Sequence, residues 1–162
     1  MFSEINPQIL VGSYPRSSAD LEKLISHKVT AIFSIQSEKD YKKHGLTPHF
    51  LSLLCQEHGL KYQRYSILDM NNDDFINKAE GGLKIMRDMI KSGERVYVHC
   101  TAGIYRSPQM IALYLTIFDK FSLEEAVNFI KRNHPYAKPN CKVIKNTIGL
   151  MDLRRSVKQI NS

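Results

Sequence analysis

Between Arg95 and Phe118 the sequence changes character twice. Arg95-Val96-Tyr97-Val98-His99 is a β-branched and aromatic run that suits a buried strand. Ser107 to Phe118 carries Met110, Ile111, Leu113, Tyr114, Leu115, Ile117 and Phe118, apolar on most faces of a helix. The segment Cys100 to Arg106 joins them, so a strand must feed straight into a helix packed on several sides, which requires a sheet with helices laid on it. The same alternation runs along the whole chain. Ile9 to Ser13, Val29 to Ile35 and Leu60 to Tyr65 read as further strands. Helices are predicted from Ser17-Ser18-Ala19-Asp20 onward, from Pro48 to His58 with Gly59 as its stop, from Ile76 to Ser92, and from Cys141 to about Val157. Ser122-Leu123-Glu124-Glu125 is a capping-box start, with Phe121 as a staple, for a helix reaching about Asn133. The expected fold class is α/β, with a central, mostly parallel sheet of about five strands flanked by helices. No repeat or linker divides the chain, so residues 1–162 are expected to form a single domain.

Composition narrows the class further. The chain is 43% hydrophobic and 24% charged, and no apolar run approaches the roughly 20 residues that cross a bilayer. Met1 to Pro7 lacks the basic start and apolar stretch of a secretory signal, and the cytoplasm is the expected location. Three cysteines, Cys55, Cys100 and Cys141, have no metal-ligand spacing and cannot all pair. Cys55 and Cys141 read as packing residues. A formal charge of +7, from 23 basic against 16 acidic residues, favours anionic partners without choosing among phosphate esters, nucleic acid and acidic lipid. Arg154, Arg155 and Lys158 read as a solvated face at the end of the last helix.

The segment His99-Cys100-Thr101-Ala102-Gly103-Ile104-Tyr105-Arg106-Ser107 fits the pattern H-C-x-x-G-x-x-R-S. A loop of this length can curl around one phosphate, with backbone N–H groups of Thr101, Ala102, Gly103, Ile104, Tyr105 and Arg106 pointing inward and a helix N-terminus beneath. That setting favours the thiolate, and Cys100 is the expected nucleophile. Gly103 lets the backbone approach the phosphate, and Arg106 offers a planar fork for two phosphate oxygens. Ser107 is placed to donate to the departing thiolate, and His99 to orient the loop. A plain buried cysteine and a rhodanese-like sulfur carrier are the rival readings of Cys100. The Arg-Ser ending and a separate acid argue against the second.

A leaving alkoxide needs a proton from a carboxylic acid on another loop. Asp69, just past the strand Leu60 to Tyr65, is the expected acid, because a loop after a neighbouring parallel strand overhangs the same sheet edge. Asp73 and Asp74 are the alternatives, or caps of the following helix.

These residues resemble the dual-specificity branch of the protein tyrosine phosphatase superfamily, over most of the chain. A narrower similarity is to the glucan phosphatases, the laforin and plant starch phosphatase group. It rests on Leu10 to Ser13, Ile35-Gln36-Ser37-Glu38-Lys39-Asp40, Arg95 to Gly103 and Lys138-Pro139-Asn140, and Asp69 falls where that group has its acid. The resemblance implies a protein tyrosine phosphatase-like fold, a phosphorylated substrate, no cofactor and no metal, and neither nucleic acid nor membrane as partner. A monomer is the default expectation. The chain departs from that group at Tyr105, where a second glycine is usual, at Met70, where Phe is usual, and at Lys42-Lys43-His44, where aromatics serve sugar rings. Tyr41, Met70 and Tyr105 are the expected cleft residues, with Phe50 and Phe75 as further aromatics. The implied function is phosphoglucan dephosphorylation by a phosphocysteine route. The alternatives are an atypical dual-specificity phosphatase acting on phosphotyrosine and phosphoserine or phosphothreonine, and a pseudophosphatase that binds a phosphorylated ligand without turnover.

Overall fold

Five strands form one sheet in the order β1-β2-β5-β3-β4, where β1 is Phe2–Asn6, β2 Ile9–Gly12, β3 Ala31–Ser34, β4 Lys61–Arg64 and β5 Val96–His99. Only the β1–β2 pair is antiparallel. The computed structural model describes residues 1–47 and 49–162. Seven helices complete the described residues: α1 (Ser18–Ser26), α2 (Glu38–Lys43), α3 (Phe50–Glu57), α4 (Asn72–Lys91), α5 (Arg106–Phe118), α6 (Leu123–Asn133) and α7 (Cys141–Ile160). The expected helix start at Pro48 lies outside the described residues.

Side-chain alternation along the strands sorts the core into two layers. Ile9, Val11, Ala31, Phe33, Val96 and Val98 pack with α4, α5, α6 and α7, whereas Leu10, Ile32 and Tyr97 meet Leu21 and Leu24 of α1 and Leu51, Leu54 and Cys55 of α3. Every residue of β2, β3 and β5 is buried, as strands covered on both faces must be. Helix α5 is buried from Arg106 through Leu115, which matches its apolar surround.

Two elements carry no expectation from the sequence. Strand β1 alternates weakly and owes its place to pairing with β2. Helix α2 is short, and it begins on a capping box between Ser37 and Asp40. The box predicted at Ser122 and Glu125 forms as well, but Phe121 packs edge-on against Phe129, with ring centroids 5.4 Å apart. Helix α4 starts at Asn72, earlier than Ile76, because Asn71 caps it by accepting from the Asp74 N–H.

Parallel register decides where the site lies. Gly12, His99, Ser34 and Arg64 end their strands on one line across the sheet. The residues that follow them therefore emerge along a single carboxyl edge. Central β5 has β2 on one side and β3 on the other, with α1 and α5 on opposite faces, so its loop opens into the crevice between diverging connections.

Candidate active site

Cys100 leaves β5 at the centre of that edge, and the loop to Arg106 is held by its carbonyls. Cys100 O accepts from His99 Nδ1 at 2.9 Å, and Thr101 O from the Tyr14 N–H at 3.2 Å. Gly103 O accepts from His134 Nε2 at 3.0 Å, Ile104 O from the Lys138 N–H at 2.8 Å, and Tyr105 O from the Gln109 N–H at 2.9 Å. With the carbonyls tied from outside, the amides face the other way. The N–H groups of Thr101, Ala102, Ile104, Tyr105 and Arg106 have no acceptor among the described residues, and that of Gly103 donates to Cys100 Sγ at 3.3 Å. Such a ring of inward donors is a cradle for a tetrahedral oxyanion.

Gly103 is needed for a reason different from the one the sequence suggested. Its φ is +73°, and a Cβ would lie 2.5 Å from the carbonyl carbon of Gly12. The loop therefore rests on the end of β2, and the glycine serves that contact rather than the approach of a ligand.

Arg106 is 3% exposed, and its end-on fork is already taken. Nη1 donates to Asp40 Oδ2 at 2.7 Å and to Ile67 O at 2.8 Å, and Nη2 donates to Asp40 Oδ1 at 3.0 Å. What remains for an anion is the side-on edge, where Nε–H stands beside the second Nη2 hydrogen, which has only a long 3.5 Å contact to Thr101 Oγ1; a two-oxygen grip falls to this edge and not to the end-on pair. Nε is buried and has no hydrogen bond, although Asp69 Oδ1 lies 3.2 Å away as an ion-pair contact outside hydrogen-bonding geometry. A guanidinium edge left unpaired beside inward amides suits a phosphate oxygen.

Asp40 is the residue that sequence reasoning missed. Beyond the pair with Arg106 it accepts from Ser37 N–H at 2.7 Å, Ser37 Oγ at 2.8 Å and Thr101 Oγ1 at 3.0 Å. Burial works to raise its pKa, yet the hydrogen bonds from Arg106 and Ser37 and the charge of Arg106 prevail and hold the carboxyl well below the usual range. The signal was present as Ser37-x-x-Asp40, a capping-box spacing read only as part of a family resemblance. His134, 3% exposed, was missed too, since nothing near Asn133-His134-Pro135 marks a residue that buttresses a loop far away in sequence; its other nitrogen, Nδ1, lies 2.8 Å from Ser3 Oγ.

The other expected residues fall as follows. Ser107 Oγ is 3.3 Å from Cys100 Sγ. His99 is fully buried behind the loop, where burial pushes its pKa down to about 4, so it is a neutral donor through Nδ1 with Nε2 unpartnered. Asp69 is half-exposed at the loop mouth. Asp74 instead accepts the Leu68 N–H at 2.7 Å and pairs with Lys78, and Asp73 stands in the first turn of α4. Of the three acids, only Asp69 contacts the arginine. Met70 and Tyr105 are exposed and line one cleft of about 380 Å³ next to Arg106.

Tyr41 does not belong to the cleft. It is 3% exposed, lies 3.4 Å hydroxyl to hydroxyl from Tyr62, and is covered by the Arg64 guanidinium 5.2 Å from its ring centre. Helix α2 turns its apolar side inward, and Tyr41 follows Asp40 into the core. Phe75 is 2% exposed and belongs to the core, yet it also lines the cleft beside Met70 and Tyr105, while Phe50 is exposed. Cys55 is a packing residue, its thiol pushed up to about 12 by burial, but Cys141 is exposed at the start of α7 and packs nothing. Among the described residues no cluster of three or more His, Cys, Asp or Glu is placed to hold a metal ion.

The chain is similar to known proteins. The chain is 29% identical over 133 residues to the chloroplastic phosphoglucan phosphatase LSF1 of Arabidopsis thaliana, covering 82% of this chain and 22% of that one. It is 27% identical over 145 residues to laforin of Mus musculus, covering 83% of this chain and 44% of laforin. It thus spans less than half the length of either relative. The crystal structure of PTPMT1 superposes with a TM-score of 0.75 at 22% identity, covering 96% of this chain and 99% of that one, a likeness of fold. Residues 9–151, from β2 into α7, match the family described as the dual specificity phosphatase catalytic domain, and to that family this chain belongs.

Proposed function

We propose that the chain is a phosphomonoester hydrolase in which Cys100 is the nucleophile. The observation that carries this reading is the loop whose carbonyls at Cys100, Thr101, Gly103, Ile104 and Tyr105 are engaged outward, leaving free amides and the Arg106 Nε edge around one sulfur. A phosphate in that cradle replaces Asp69 at Nε and releases its carboxylate, which takes up a proton from water once it leaves the guanidinium. The thiolate of Cys100 attacks phosphorus; the S–P bond forms as the P–O bond to the leaving group breaks, and Asp69 gives its proton to the leaving oxygen. Water then attacks phosphorus, Asp69 takes its proton, and the S–P bond breaks with Ser107 donating to the departing sulfur. The free amides and Arg106 stabilise the equatorial oxygens in both steps.

For the substrate, relatives named as phosphoglucan phosphatase and laforin favour a phosphorylated glucan. Tyr105 and Met70 on one side of the loop and half-buried Tyr14 on the other offer ring-stacking surfaces in place of Tyr41. A second reading, a phosphoprotein, draws on Lys42 and Lys43, both exposed on the helix that carries Asp40.

Phosphate release from amylopectin and from phosphopeptides at equal enzyme separates the two, and release from peptides alone contradicts the glucan reading. The enzyme reading predicts that a small aryl phosphate is hydrolysed, that Cys100→Ser abolishes this, and that Asp69→Ala slows turnover of an alkyl phosphate by about 10²-fold or more. An unchanged rate in Cys100→Ser overturns it.

A further inference from the structure

The cleft beside Arg106 has a polarity that the chemistry of the loop does not require. Gln109, the third residue after the arginine on α5, is 5% exposed, and its Oε1 accepts the Asn140 N–H at 3.0 Å. A backbone N–H can only donate, so this bond fixes the carboxamide orientation. Gln109 lines the cleft, and its Nε2 has no acceptor among the described residues. Two further carboxamides at the same cleft are fixed in the same sense. Asn140 Oδ1 caps α7 by accepting from Lys142 and Val143, and Asn71 Oδ1 caps α4. Each oxygen is committed to a backbone amide, and each NH2 remains. Lys138 adds a fourth donor, whereas Tyr105 and Met70 supply apolar surface.

Resting on the phosphatase reading above, we propose that Gln109 is a specificity-determining residue. In this assignment its Nε2 donates to an oxygen of a polyhydroxy, sugar-type leaving group beside the phosphoryl group. A sugar ring has apolar C–H faces and oxygen acceptors at its edge, and the cleft pairs apolar surface with N–H donors. A phosphotyrosine ring offers no acceptor at that depth. At about 380 Å³ the cleft falls in the range of roughly 300–1,000 Å³ typical of small-ligand sites. A donor that a bound ligand covers without matching penalises a ligand that lacks the acceptor, which is how such a group selects.

The test compares kcat/KM for a phosphorylated maltooligosaccharide, phenyl phosphate and a phosphotyrosine peptide in wild type, Gln109→Met and Gln109→Glu. Glu keeps the acceptor for Asn140 and loses the donor; its charge acts on the phosphate of every substrate and cancels in a ratio. The sugar-to-phenyl ratio is expected to fall about tenfold in both variants, mainly through KM, the weight of one hydrogen bond. A ratio unchanged in both variants overturns the proposal. So does a fall in Gln109→Met alone, which reports only the lost tie to Asn140, or an equal fall in the peptide-to-phenyl ratio. Wild-type hydrolysis of phenyl phosphate without the sugar phosphate overturns this inference and leaves the phosphatase reading intact. Failure on all three substrates overturns that reading itself.

Discussion

Asp40 and Arg106 form a buried pair, 6% and 3% exposed, joined by two hydrogen bonds. Two charges withdrawn from water are tolerated because the remaining sites on Asp40 are filled by Ser37 and Thr101, and one on Arg106 by Ile67 O. Removing one partner strands the other, so Asp40→Asn is expected to cost about 3–5 kcal/mol in urea unfolding. It should also lower kcat, since the guanidinium loses the anchor that aims Nε at the loop. A second expectation concerns pH. His99 has a folded-state pKa near 4 against an ordinary 6.5, from burial first and the Arg106 charge as well, and burial also lowers that of His134. Between those values the unfolded chain binds more protons than the folded one. The contribution of His99 to stability is therefore complete above pH 6.5 and is lost as pH falls toward 4, with a slope up to about 1.4 kcal/mol per pH unit, and that of His134 is lost in the same direction. Urea midpoints at pH 7.5 and pH 5 check this, and equal unfolding free energies at the two would contradict it.

At the scale of elements, two capping boxes have the same local chemistry and different consequences. Ser37 starts α2, which carries Asp40, whereas Ser122 starts α6, whose contact with the loop lies at its far end, through the C-cap residue His134. Replacing either serine by alanine should cost roughly 1 kcal/mol in stability. Ser37→Ala should also depress kcat, because its Oγ bonds Asp40 Oδ2, while Ser122→Ala should leave turnover unaltered; equal effects on turnover would dissociate α2 from the site. The difference between these helices also explains what the sequence made legible. Buried strands β2, β3 and β5 and the long helices α4 to α7 were readable because apolar period and caps agreed over many residues. Helix α2 has only six residues and a charged surface, too short for a period to emerge, so Tyr41 was assigned to the cleft and not to the core. Strand β1 depends on a tertiary pairing. At the loop, Cys100, Arg106, Ser107 and Asp69 were named from spacing and adjacency. Asp40 and His134 were not, since contacts across 66 and 31 residues leave no local mark.

On the scale of the whole molecule, register turns separate segments into one site. Four parallel strands end on a common line, so the β2 exit, the β3 exit with α2, the β4 exit with Asp69 and the loop after β5 meet at one edge. The α6–α7 connection closes the ring through Lys138 and Asn140. No helix among the described residues is long and apolar enough to cross a membrane. The family match over residues 9–151 embraces every strand of this edge, whereas the substrate depends on side chains around it. Turnover at this site requires a covalent bond between Cys100 and phosphorus. Ser107 lies 3.3 Å from that sulfur, so Ser107→Ala should slow breakdown of the intermediate more than its formation. Acid quenching of Ser107→Ala during turnover of phenyl phosphate, followed by peptide mass spectrometry, should find one phosphoryl group on the peptide that contains Cys100. Turnover with that peptide unmodified, or with the phosphoryl group on another residue, would contradict the account.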